Sequence, residues 1–307
     1  MNITITTILL SMIMNTAMMW EPHHQQVDLD VAGKLKNESK LRWANTSVHE
    51  LAEAVAYEDV AKISEIVKMH PDWINYQEPL EKYTLLMWAV GTEKYNATET
   101  LLKYGANPNI ATPYGETAIF IAASYSWIDY DYKKEPKYVK LLLRYHADPN
   151  ICYTGGHPVI ISDYPGTSPL MKSIGCGIEK TQALVDAGAD INHKTASGDT
   201  AAVLALIQDE LVTAHYLIVD KKAVVNEPYY TSFTGPGEDP KRKFYPVDLL
   251  RSWTFPLDSE DYRIKMKIVE EFKRQGVDYW KTKIPDIQLK HIKKKYPDSW
   301  LEYIKKY

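Results

Sequence analysis

The sequence predicts an all-α solenoid of about six helix–turn–helix repeats with extended finger loops. Three observations predict it. A closing phrase recurs four times, as Gly105-Ala106-Asn107-Pro108-Asn109, His146-Ala147-Asp148-Pro149-Asn150, Gly188-Ala189-Asp190-Ile191-Asn192 and, with one extra lysine, Lys222-Ala223-Val224-Val225-Asn226. Each copy follows an apolar pair expected at a helix end: Leu101-Leu102, Leu142-Leu143, Leu184-Val185 and Leu217-Ile218. Upstream of each phrase the apolar residues fall three, three and one apart, as in Ile178, Thr181, Leu184 and Val185, which places them on one helical face. One such helix cannot bury its stripe alone, so neighbouring repeats must stack into a continuous core.

Taken in chain order, the first repeat begins near Ser47. Leu51, Ala54 and Val55, then Val60, Ile63, Ile66 and Val67, give it a helix pair, and Pro71-Asp72-Trp73-Ile74-Asn75 echoes the closing turn. The next four repeats open on Tyr83-Thr84-Leu85-Leu86-Met87-Trp88-Ala89, Gly115-Glu116-Thr117-Ala118-Ile119-Phe120-Ile121-Ala122, Gly166-Thr167-Ser168-Pro169-Leu170-Met171 and Gly198-Asp199-Thr200-Ala201-Ala202-Val203-Leu204-Ala205. Gly105 and Gly188 supply the positive φ that ends a second helix, with His146 a poorer substitute. Tyr245 to Leu250 and Val269 to Phe272, closed by Gly276-Val277-Asp278, read as a degenerate sixth repeat. Pro285 to Tyr307 offers two short amphipathic helices broken at Pro297 that cap the stack.

The opening landmarks resemble the Gly-x-Thr-Pro-Leu-His-x-Ala pattern of the ankyrin repeat, which with Gly-Ala-Asp-x-Asn makes a two-helix unit of about 33 residues. The resemblance runs from Ser47 to Asp278. It implies a scaffold whose finger tips and first-helix ends form a concave groove for a protein, here at Tyr114, Glu116, Tyr125, Asp199 and Gln208. The chain departs from the pattern at the motif histidine, replaced by Met87, Phe120, Met171 and Val203. Apolar packing must then replace the hydrogen bonds of that histidine, which predicts a less regular stack.

Residues 45–280 are therefore read as one repeat domain, because a repeat array grows in one dimension and 307 residues need no second core. Residues 281–307 form the helical cap. Its eight lysines face three carboxylates, and they are read as a solvated surface rather than a nucleic-acid or membrane patch. A net charge of −4 with 25% charged residues points to no nucleic-acid partner, and no stretch has the length of a membrane span. Ile5 to Met14 is an apolar run of signal-peptide length that lacks a basic n-region. Residues 1–19 are read as an export signal and 20–44 as a polar linker, which places the protein in the periplasm or outside the cell. The alternative is a cytoplasmic chain with a buried N-terminal segment.

Catalytic motifs are missing. No phosphate-binding Gly-rich loop, nucleophile elbow, His-Glu-x-x-His or Cys-x-x-Cys occurs. Cys152 and Cys176 cannot form a structural zinc site alone, and their placement predicts two unbridged thiols. His23-His24 is better read as an accidental pair in a disordered segment, and Asp129 with Asp131 and Gly155-Gly156-His157 as exposed loops. No cofactor and no metal are expected.

What rises above background is where the repeats are interrupted. Tyr125 to Lys137, Tyr153 to Pro165 and Glu227 to Phe244 are insertions, and they hold Tyr125, Trp127, Tyr130, Tyr132, Tyr153, Tyr164, Tyr229, Tyr230 and Phe233, with His157 beside them. Insertions in a solenoid map to one face, often the binding face, and aromatic residues carry interface energy. The competing reading is that these loops pack on their own repeats. The resulting expectation is a monomeric, non-catalytic scaffold for one specific protein. Resemblance to exported ankyrin-like proteins narrows it to an immunity protein that neutralises a cognate secreted toxin, such as a type VI phospholipase. The alternative is a cytoplasmic adaptor or effector that docks a host or regulatory protein.

Overall fold

The computed structural model describes residues 42–128, 135–156, 164–230 and 242–307. The proposed export signal, nearly all of the linker, and Tyr130, Tyr132, His157 and Phe233 lie outside them. The chain divides into two compact units, one of His24–Asp190 and one that takes Ile191–Tyr307.

The first unit is built of antiparallel helix pairs: α1 (His49–Ala56) with α2 (Val60–Met69), α3 (Leu85–Gly91) with α4 (Tyr95–Lys103), α5 (Ala118–Ala123) with α6 (Lys137–Arg144), and α7 (Pro169–Lys172) with α8 (Ile178–Asp186). From the second pair onward each first helix starts by one device. The hydroxyls of Thr84, Thr117 and Ser168 accept from the backbone N–H groups of Met87, Phe120 and Met171 at 3.2–3.3 Å, satisfying an orphan donor of the first turn. Met87, Phe120 and Met171 occupy the motif-histidine position with side chains at most 3% exposed, so core packing takes the place of a polar network there.

The closing phrase also folds locally. The N–H of Ala106, Ala147 and Ala189 reaches back to the carbonyl of Leu101, Leu142 and Leu184, and the residue between, Gly105, His146 or Gly188, has φ of +93°, +63° and +90°. Its last asparagine then ties repeat to repeat. Asn75, Asn109 and Asn150 each accept through Oδ1 from the next turn's N–H, at Asn107, Asp148 and Asp190, over 2.7–2.8 Å. Asn109 and Asn150 also donate through Nδ2 to the carbonyls of His146 and Gly188. The phrase is thus both a helix stop and a rung.

The second unit repeats these devices with one adjustment. Helix α9 (Ala201–Ile207) opens on Thr200, whose hydroxyl accepts from Val203 N–H, and α10 (Leu211–His215) runs on as a π-turn over Tyr216–Asp220. That turn absorbs the extra lysine: Ala223 N–H bonds Leu217 O, one residue further back than in the other copies. The asparagine rung survives, with Asn192 accepting from Val224 N–H at 2.8 Å.

After it, a two-stranded antiparallel ribbon, β1 (Tyr229–Tyr230) with β2 (Lys243–Phe244), appears where a longer finger loop was expected. Helices α11 (Pro246–Ser252) and α12 (Glu260–Arg274) follow, and Gly276-Val277 closes α12 with the same bond as the other copies, Val277 N–H to Phe272 O. The last two helices, α13 (Asp286–Lys295) and α14 (Trp300–Lys306), flank Pro297 as expected and pack around Ile292, Tyr303 and Tyr307. No disulfide joins Cys152 and Cys176.

Candidate functional site

The finger turns are shaped by a recurring Thr-x-x-Gly-acid sequence. Thr112 N–H donates to Glu116 O, and Thr195 N–H to Asp199 O, at 2.9 and 3.0 Å, while each threonine hydroxyl accepts from the acid's own N–H. Gly115 and Gly198 sit at the corner with φ of +84° and +83°. A Cβ on Gly115 would lie 2.4 Å from Cys152 O and one on Gly198 3.1 Å from Pro228 O, so only glycine lets the next finger approach. Through that approach Thr154 N–H donates to Tyr114 O and Tyr230 N–H to Ser197 O, each at 2.7 Å.

This geometry corrects part of the groove drawn from the sequence. Glu116 is 3% exposed and accepts from the Tyr83 hydroxyl at 2.8 Å, so its carboxylate holds the finger and presents nothing to a partner. Asp199 is half-buried and accepts from the hydroxyls of Ser197 and Thr195; burial raises its pKa against those stabilising bonds. An acid in this position completes its own turn. Glu78 does the same for the preceding finger, fully buried and accepting from the N–H groups of Leu80, Glu81 and Tyr83 as well as from Arg42.

The inserted aromatics divide into two sets. Tyr229 is 7% exposed and packs on Phe244, its partner across the ribbon, with ring centroids 5.9 Å apart. Trp127 is pinned against Gly91, where a Cβ would fall 2.3 Å from the indole, and meets Tyr83 edge-on at 5.3 Å. Tyr153 is buried against Phe120. These rings pack inward rather than outward: Trp127 and Tyr153 each on the preceding repeat, Tyr229 within its own ribbon. Tyr114, Tyr125, Tyr164 and Tyr230 are half-buried, and Gln208 is exposed at the end of α9.

In the first unit Tyr125 borders a cleft of about 380 Å³ at the helix–helix turns. Its wall holds groups that the sequence reading missed. Lys180, on α8, is 2% exposed and donates to Ala122 O and Ser124 O, both at 3.0 Å, capping the carbonyl end of α5. Glu93 and Tyr138 stand beside it. Lys180 lies one turn before Leu184, on the stripe that the spacing marks as buried, and that register was the available signal. Among the described residues no group of three His, Cys, Asp or Glu could hold a metal ion. No described helix is long and apolar enough to cross a membrane.

Comparison with known proteins agrees with the architecture. No curated protein matches the chain. A family model of ankyrin repeats in three copies matches residues 51–152, the stretch that carries α1 to α6 and the first asparagine rungs. Ankyrin repeats are a protein-interaction module, and this chain is an ankyrin-repeat protein.

Proposed function

We propose that the chain is a non-catalytic scaffold that holds one specific protein through its finger tips and inserted loops. One observation carries this reading. Tyr114, Tyr164 and Tyr230 are half-buried rather than enclosed, while their backbones are fixed, Tyr114 O and Tyr164 O accepting from Thr154 and Thr167 and Tyr230 N–H donating to Ser197 O. A large amphipathic ring on a held backbone contributes contact area at small entropic cost. Affinity capture of the partner by the intact chain tests it. Single Tyr114→Ala, Tyr164→Ala and Tyr230→Ala substitutions should each weaken capture about tenfold, the range of an interface anchor, with thermal unfolding unchanged. Unaltered capture by all three would remove the aromatic surface from the proposal.

The narrower proposal is an immunity protein that neutralises a cognate secreted toxin of the type VI phospholipase class. It draws support from the apolar run Ile5 to Met14, which suits export to the periplasm. A cytoplasmic adaptor or effector docking a regulatory or host protein is the alternative if that run is retained.

A further inference from the structure

The cleft beside Tyr125 has a chemistry of its own. Among the described residues the Tyr138 hydroxyl, buried there, has no hydrogen-bond partner. Its ring is held edge-on by Tyr95 at 5.4 Å, with Lys137 Nζ 5.6 Å from its centroid, so the hydroxyl is not there through disorder of the ring. A buried polar atom left unpaired is destabilising, and a ligand that pairs it recovers that cost. The Lys180 ammonium carries three donors and spends two on Ala122 O and Ser124 O. Its third N–H, among the described residues, has no acceptor.

The acceptor in the wall is Glu93, whose carboxylate has about four lone-pair sites and can take a further donor beside its own contacts. It is carried into place by the turn between α3 and α4, at φ +60°. Val90 and Ile121 supply an apolar wall. Two lysines, Lys137 and Lys180, and two glutamates, Glu93 and Glu135, line the cleft, so its charges balance and an added ion of either sign would meet two like charges. A group that is uncharged and both accepts and donates meets neither penalty.

We propose that this cleft receives a primary carboxamide: the carbonyl oxygen accepts from Tyr138 O–H and Lys180 N–H, the amide N–H donates to Glu93, and the attached methylenes lie on Val90 and Ile121. In the setting of the protein-binding scaffold the carboxamide is a glutamine or asparagine side chain of the partner, a step that rests on the proposed function. A free small amide would bring the same chemistry.

The test is a titration of the intact, isotope-labelled chain with N-acetylglutamine methylamide, followed by amide NMR, with acetate and guanidinium in parallel. Saturable shifts at Glu93, Ser126 and Tyr138 with the carboxamide alone are expected. Tyr138→Phe removes an unpaired hydroxyl and so should fold at least as well, yet weaken the carboxamide about tenfold, the loss of one hydrogen bond. Lys180→Met is the second variant and should weaken it similarly. Equal saturation by acetate or guanidinium, or a titration unchanged in Tyr138→Phe, would overturn the assignment. Repeating the titration with captured partner bound separates the sources: competition identifies a partner side chain, and undiminished binding a free amide. Failure to capture any partner would defeat the scaffold reading and leave the titration standing.

Discussion

Lys265, fully buried in the second unit, shows how far a single residue can depart from the expectation for its type. It donates to Trp253 O at 2.7 Å and lies 3.9 Å above the Tyr307 ring and 5.2 Å from that of Tyr279. Desolvation, with the nearby Arg251 charge adding to it, pushes its pKa down to about 6. Burial also raises the phenols around it, Tyr279 to about 12 and Tyr307 further, so they stay protonated and provide no counter-charge. An unfolded lysine titrates near 10.4. Between about pH 6 and 10 the unfolded chain therefore binds the extra proton, and this residue makes stability rise with pH, at most by about 1.4 kcal/mol per unit. Lys265→Met should flatten that slope relative to the parent in thermal unfolding followed from pH 6 to 10. Parallel curves for the two proteins would show that Lys265 is not buried neutral.

At the scale of elements, the asparagine rungs and hydroxyl caps do most to define the repeat. Asn150 closes two bonds to the following turn, from Asp190 N–H and to Gly188 O. Asn150→Ala should cost about 1–2 kcal/mol, the sum of two ordinary net hydrogen bonds. It should lower the urea midpoint without changing the slope. A change below a few tenths would mean that water replaces the rung. The repeat and its stops were legible because their chemistry is local, a glycine or its substitute after an apolar pair at a constant offset; the hydroxyl caps and the asparagine rungs emerged only with the fold, since a rung joins residues 32 to 40 apart. The ribbon of β1 and β2 was not legible, because Glu227 to Phe244 has no alternating pattern and its pairing of Tyr229 with Phe244 joins residues 15 apart in number. The π-turn after α10 was visible as an extra lysine, but its solution was not.

For the whole molecule, the proposed route out of the cytoplasm is the coarsest consequence and the easiest to check. Fractionation with N-terminal sequencing should find a mature chain beginning near Met18 in the periplasm. An intact N-terminus in the cytoplasm would favour the adaptor reading. The partner itself leaves no trace in the repeats, since a solenoid frame accepts many surfaces on the same core.

By itself the sequence determined the repeat, its phase, its stops and its departure from the motif histidine, because each depends on groups a few residues apart. Tertiary structure alone decided which acids and aromatics face inward. Glu116 meets a tyrosine 33 residues away and Lys180 a carbonyl 58 residues away, so their burial is set by neighbours that no local spacing names. For that reason Glu116, Trp127 and Tyr229 turned into the frame, and a lysine, a phenol and a glutamate emerged around a cleft.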